Sequence, residues 1–336
     1  MALIYNSLVV TGSVIGRFYP FHAGHQYVIE TALSKVDFLT ILVEGRRGQI
    51  IKPEIRANWV RDIYPQAKVK VVYHNLESED DAGWAKNTLK WLGYKPDLVF
   101  TSENYGDHYA RLMGAVHIPV DIPRKKFPIS GTAIRLNPLL HFEYLHPIVR
   151  AYFVRRMCFV GAESVGKTTM AQLLAKKFKT SWVPEFGRYY TEGKVTSKFS
   201  EWESRELQFI ARVQNNLEDE LAGYANKVLF CDTNSLATYV WEELLVGKGS
   251  VEVEGLFKKM NYALYMVCDI DVDFVADNVR VAKKQREWMH RRFIELLEKY
   301  KLPYIIVSGS LKNRISVCEQ KVNEILDNYR VEEKIL

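Results

Sequence analysis

The stretch Met157-Cys158-Phe159-Val160-Gly161-Ala162-Glu163-Ser164-Val165-Gly166-Lys167-Thr168 decides the fold of the second half of this chain. Four apolar residues read as a buried strand. The eight that follow are a complete P-loop, and Thr169-Met170-Ala171-Gln172-Leu173-Leu174-Ala175 reads as the helix it runs into. Strand, loop and helix in that order give the motif its meaning. The glycines let the backbone turn tightly, so that several N–H groups converge on phosphate oxygens. The helix N-terminus adds a favourable dipole. Lys167 brings a cation to the β- and γ-phosphates, and Thr168 offers its hydroxyl to Mg²⁺. The nucleotide-binding set is Gly161, Ser164, Gly166, Lys167, Thr168 and Thr169.

A P-loop kinase also needs an acidic residue at the end of a neighbouring strand. Asp232, after Val228-Leu229-Phe230-Cys231, fits that place either as a Mg²⁺ ligand or as the base; it equally fits a helix N-cap. Glu185 and Arg188 follow another short strand. They either hold a substrate hydroxyl and a phosphate or form a surface ion pair. Asp277, Arg280, Lys283, Lys284 and Arg286 form a charged stretch that reads either as a lid or as a solvated helix start, with Arg280 the chosen phosphate contact.

Working back towards the start, Gly16-Arg17-Phe18-Tyr19-Pro20-Phe21-His22-Ala23-Gly24-His25 carries a second phosphate signature, His-x-Gly-His. Transfer to an α-phosphorus needs positioning and cations around a charge that grows on pyrophosphate. His22 and His25, at a strand-to-helix turn, can each give an N–H to a phosphate oxygen. Gly24 permits close backbone approach, and Arg17 adds a fixed cation. Gly16 and Phe18 complete the segment. Ile129-Ser130-Gly131-Thr132-Ala133-Ile134-Arg135 supports it, placing Ser130 and Thr132 at a helix start with Arg135 one turn on.

The 336 residues suit two domains, divided here near residue 150 into 1–150 and 151–336. The 48% hydrophobic and 26% charged content is ordinary for a globular protein, and the net charge of +6 is too mild to argue for nucleic acid. The four cysteines form no C-x-x-C pair and read as small buried hydrophobes in a reducing cytoplasm. No apolar run approaches the ~20 residues that span a bilayer.

Strand and helix patterns alternate in both halves. Strands are expected at 8–15, 38–43, 69–73 and 97–101, with helices at 25–34, 53–64 and 82–92. The second half gives strands near 157–160, 228–231, 263–268 and 304–307, and a long helix over 200–222. A cover helix over 311–329 carries the stripe Leu311, Ile315, Cys318, Val322, Ile325, Leu326 and Tyr329. This alternation predicts an α/β fold: a Rossmann-like nucleotidyltransferase parallel sheet followed by a P-loop kinase parallel sheet.

The first-half motifs resemble the nicotinamide-mononucleotide adenylyltransferases. The P-loop, Glu185–Arg188, Cys231-Asp232-Thr233 and Asp277–Arg280 resemble the ribosylnicotinamide kinase domain. Their order, and the segment 137–153 between them, is similar to the bifunctional NadR-type proteins over nearly the whole chain. That resemblance implies phosphorylation of nicotinamide riboside by ATP with Mg²⁺, then adenylyl transfer from ATP to the mononucleotide, NMN, giving NAD and pyrophosphate. It implies that His22 and His25 contact ATP phosphates while Ser130, Thr132 and Arg135 hold the triphosphate. Asp232 would bind Mg²⁺ or accept the hydroxyl proton, with Glu185 the other choice of base. Trp59 and Trp84 either stack near a nicotinamide ring or belong to the core.

Three departures from that family pattern stand out. The chain starts at its first strand, which argues against the DNA-binding segment of some members and a repressor role. Gly131 replaces Ser or Ala and is expected to loosen its turn, and Arg17 replaces Lys. Small molecules are the expected partners, and the sequence leaves a homo-oligomer open. The competing readings are the same two chemistries on other substrates and a nucleotide-sensing regulator.

Overall fold

The computed structural model of the chain describes residues 9–73, 80–194, 202–271 and 283–331. It divides into two compact units, one running to Val149 and taking in Arg330 at the far end, the other Arg150–Tyr329.

In the first unit the order is β1 (Thr11–Gly16), α1 (Ala23–Leu33), β2 (Phe38–Gly45), α2 (Pro53–Ile63), β3 (Lys68–Tyr73), α3 (Asp81–Leu92), β4 (Leu98–Thr101), α4 (Gly106–Leu112), β5 (Val116–Pro119) and α5 (Gly131–Leu136). The sheet order is β3-β2-β1-β4-β5, and every pairing is parallel. Such a sheet buries both faces, which is why Ile41, Leu42 and Val43 are wholly buried in one continuous apolar run. The strand order reverses between β1 and β4. In open α/β sheets that crevice, at the carboxyl ends of the strands, is where ligands bind.

A short helix, α6 (Pro147–Phe153), lies at the division between the units. Beyond it come β6 (Arg155–Val160), α7 (Lys167–Phe178), β7 (Trp182–Val183), α8 (Phe186–Gly193), α9 (Ser204–Ala222), β8 (Val228–Asp232), α10 (Ser235–Val246), α11 (Val251–Lys259), β9 (Leu264–Cys268), α12 (Lys283–Lys299), β10 (Tyr304–Val307) and α13 (Leu311–Asp327). Here too the sheet is parallel, in the order β10-β9-β6-β8-β7, with β6 in the middle. The P-loop therefore emerges from the central strand. The four cysteines are free and buried, as their reading as small buried hydrophobes expects. No helix among the described residues is long and apolar enough to cross a membrane.

One expectation changes, and one open alternative is decided. The stripe on α13 is only partly inward: Cys318 and Val322 are buried, but Leu311 is 49% exposed, and Arg314, at 3%, takes an inward place. Trp59 is a core residue of α2. The expected strand and helix starts at residue 8 and residues 200–201 lie outside the described residues.

Candidate active sites

A cavity of ≈ 900 Å³ opens at the carboxyl ends of β1, β2 and β4 in the first unit. It gathers Gly16, Arg17, Phe18, His22, Gly24, His25, Ser130, Thr132 and Arg135, segments more than a hundred residues apart in sequence. Trp84 also lines it, whereas Trp59 does not.

His22 caps α1: its Nδ1 accepts the Gly24 N–H at 3.2 Å. A Cβ on Gly24 would meet the His22 ring at 3.1 Å, so the glycine lets this cap close tightly. The His22 and His25 rings stack with centroids 3.8 Å apart. The Phe21 ring lies nearly parallel to that of His25 with centroids 5.9 Å apart, and Phe18 meets His25 edge-on. His25 Nδ1 is buried with no hydrogen-bond partner among the described residues. Burial, then the Arg124 charge, lowers the His22 pKa to about 4. Burial, His22 and Arg124 hold His25 well below its usual range. Both imidazoles are neutral at pH 7, so each can donate only one N–H.

Ser130 caps α5, its hydroxyl accepting the Ala133 N–H at 3.2 Å. Arg135 donates to the Tyr19 carbonyl at 2.6 Å and to the Thr132 hydroxyl at 3.2 Å. Its guanidinium also stacks over the Tyr19 ring. A Cβ on Gly131 would lie 2.3 Å from that same Tyr19 carbonyl oxygen. The glycine therefore does not loosen the turn; it permits the close approach that locks α5 onto the Tyr19 backbone. Arg17 is half exposed and lies 3.7 Å from Glu44, whose carboxylate also takes Arg46 at 2.7 Å.

Three features here escaped sequence reading. Arg56, wholly buried in α2, donates to the carbonyls of Arg17, Glu44 and Ile51 and to the Gln49 side chain. Burial lowers its pKa to about 10, still leaving it charged at pH 7. It clamps the turn after β1 to the end of β2, and nothing in its local sequence marks it. Arg124 lines the cavity beside the histidines and pairs with Glu103 at 3.1 Å; the basic run Arg124-Lys125-Lys126 ahead of Ile129 was the available signal. At the end of β4, the Thr101 hydroxyl meets His117 Nε2 at 2.9 Å, and His117 Nδ1 meets Asp107 at 2.6 Å.

In the second unit, the P-loop joins β6 to α7. Gly161, Ser164 and Gly166 all have positive φ, the conformation a loop of converging N–H groups requires. Lys167 Nζ donates to the Ala162 carbonyl at 2.7 Å, and Thr169 is exposed one turn into the helix. Thr168 donates its hydroxyl to Asp232 at 2.5 Å. Asp232 ends β8, where the N-cap of α10 is Asn234, so the capping alternative for Asp232 falls away.

Asp232 is 1% exposed, and its second carboxylate oxygen has no hydrogen-bond partner among the described residues. Burial raises its pKa against the pull of Lys167, Thr168 and Arg188. Burial likewise raises Glu185, with Lys167 and Arg188 opposing. P-loop lysine, β8 carboxylate, Glu185 and Arg188 thus share one electrostatic neighbourhood. An orphaned buried carboxylate oxygen beside a threonine hydroxyl suits a hard cation that also takes phosphate oxygens and water. Asp277 and Arg280 lie outside the described residues, as does the Lys283 side chain; Lys284 is exposed and Arg286 buried in α12.

A family model described as an AAA domain matches residues 156–314. The trifunctional NAD biosynthesis/regulator protein NadR of Escherichia coli strain K12 is 28% identical over 344 residues, covering 95% of this chain and 84% of that one. A crystal structure of NadR protein in complex with NAD and AMP-PNP covers 96% of this chain and 97% of its own at 19% identity, with a TM-score of 0.76. A second, in complex with NR, gives 0.77 at 18% identity over the same shares. The two-sheet α/β architecture expected from the sequence is shared with these structures, and the likeness to NadR proteins runs along nearly the whole chain.

Proposed function

We infer that this chain, similar to the NadR proteins along nearly its whole length, is an enzyme of NAD salvage that uses ATP twice, at two separate sites. The observation that carries this reading is the presence of two anion cradles of different design, one at the carboxyl end of each parallel sheet.

In the unit Arg150–Tyr329, ATP phosphorylates the 5′-hydroxyl of nicotinamide riboside. The hydroxyl oxygen bonds to the γ-phosphorus, the bond from that phosphorus to the β-bridging oxygen breaks, and ADP leaves. The P-loop N–H groups and Lys167 hold the phosphates, with Arg188 adding a cation. Thr168 and Asp232 would hold Mg²⁺, which neutralises charge on the β- and γ-oxygens when bound. Glu185 takes the hydroxyl proton: its raised pKa moves it toward the operating range of a general base, and Asp232 is already engaged with Thr168.

In the first unit, a phosphate oxygen of nicotinamide mononucleotide bonds to the α-phosphorus of a second ATP, and pyrophosphate departs, giving NAD. Neutral His22 and His25 donate N–H groups to the triphosphate. Arg135, Thr132 and Arg17 add further donors, and Ser130 sets the start of α5. Trp84 offers a face for a nicotinamide ring.

Purified chain offered ATP and Mg²⁺ with a panel of nucleosides and phosphorylated acceptors tests the substrates. Turnover of nicotinamide riboside and its mononucleotide is expected. Turnover of another pair, with none of these, overturns the assignment.

A further inference from the structure

We propose that Arg314, a buried arginine on the cover helix α13, sets the shape of the P-loop and so governs the affinity of the second unit for nucleoside triphosphate. This rests on the reading of that unit as the ATP-using kinase.

The guanidinium reaches three loops at the carboxyl edge of the sheet. Its Nη1 donates to the Val165 carbonyl at 3.1 Å, within the P-loop itself. Its Nε donates to the Gly309 carbonyl at 2.9 Å, in the turn between β10 and α13. Its Nη2 donates to the Asp269 carbonyl at 3.4 Å, just beyond β9, and pairs with the Asp271 carboxylate. Asp271 closes the circuit by accepting the Gly309 N–H at 2.5 Å. Only 3% of Arg314 is exposed, and its partners lie up to 149 residues away.

Val165 sits between Ser164 and Gly166, both at positive φ. A peptide plane in that setting has several directions open to it. A trans peptide points its C=O and the next N–H in opposite directions. Holding the Val165 carbonyl on Arg314 therefore aims the Gly166 N–H away from Arg314, towards the loop's other face. A donor fixed before the ligand arrives costs no reorganisation on binding. Lysine cannot replace this residue. One ammonium has no planar fork, and it cannot serve a P-loop carbonyl, the Gly309 carbonyl and a carboxylate at once. Arg314 is a positioning residue; no contact between it and substrate is invoked.

Calorimetric titration of the full chain with ATP and Mg²⁺ tests this. The P-loop component is the one that Lys167→Ala removes. In Arg314→Met, and less steeply in Arg314→Lys, the Kd of that component should rise at least tenfold. Riboside affinity and adenylyl transfer to the mononucleotide should stay within twofold. A change in Kd below threefold in both variants overturns the proposal. So does parallel loss of riboside binding in Arg314→Lys, because that marks general unfolding. If the unaltered chain has no P-loop component, the kinase reading itself fails, a result distinct from a tight component that survives the substitution.

Discussion

The imidazoles of His22 and His25 stack 26° from parallel with their centroids 3.8 Å apart, inside the turn that starts α1. Two like-charged rings at that distance repel, and burial disfavours charging either one. The pair is therefore a neutral donor set, with cations supplied by Arg17, Arg124 and Arg135 around the same cavity.

That neutrality is measurable. The folded His22 pKa is lowered to about 4 from its ordinary 6.5, so the unfolded chain binds a proton first as pH falls. Stability from this residue is present above pH 6.5 and is lost as pH falls from there towards 4. The His22 ring resonances in an NMR titration should stay flat from pH 8 to 6 and move only near 4. A midpoint at 6.5 or above would contradict the burial argument.

The contact between Thr168 and Asp232 predicts a defect confined to one reaction. Thr168→Val keeps the shape and removes the hydroxyl. Riboside phosphorylation should fall by about 10- to 100-fold, roughly 1.4–2.8 kcal/mol of transition-state stabilisation. Its apparent Mg²⁺ requirement should rise while adenylyl transfer is unchanged. Equal losses in both activities, or none in the first, would argue against the placement of the cation.

Gly131→Ala forces a methyl group into the Tyr19 carbonyl oxygen, which also accepts the Arg135 hydrogen bond. Overpacking of this kind costs about 1–3 kcal/mol. The first unit should lose stability in a calorimetric scan, adenylyl transfer should drop at least tenfold, and phosphorylation should persist. A variant with full adenylyl transfer would show that the close approach is dispensable.

Glu218 is a buried residue of α9, and the single Tyr262 hydroxyl lies 2.7 Å from one of its carboxyl oxygens and 2.8 Å from the other. Burial raises its pKa to about 7, against the opposing pull of Tyr262 and Arg156. The folded state thus holds a proton that the unfolded state has released above its ordinary 4.5. Stability from this group is full below that value and is lost as pH rises through 7. Glu218→Gln should flatten the fall of the second unit's unfolding free energy between pH 5 and 8, by about 2–3 kcal/mol at most. An unchanged slope in denaturant titrations would point to another residue.

Much of this was legible in the sequence because parallel strands buried on both faces must be apolar runs. Runs such as Phe38–Gly45 and Val228–Asp232 announce themselves, and glycines mark where backbone meets phosphate. β5, Val116–Pro119, went unseen: four residues containing a histidine and a proline form no such run. α10 hid for the opposite reason, being buried over most of its surface and so lacking a polar stripe. The arginines were the deepest omission. Arg56 and Arg314 are charged residues that composition alone would assign to solvent, yet their partners include backbone carbonyls supplied by loops distant in sequence. Period and composition carry no trace of such contacts.

The most direct test of two separate cradles is the release of ADP and pyrophosphate, followed side by side in Lys167→Ala and His25→Ala. The first variant should make no ADP from nicotinamide riboside yet release pyrophosphate normally when given the mononucleotide. The second should do the reverse, with a loss of about 10²–10³-fold in adenylyl transfer. If either single substitution, in a chain that keeps its folded circular dichroism, abolishes both products, there is one working site and not two.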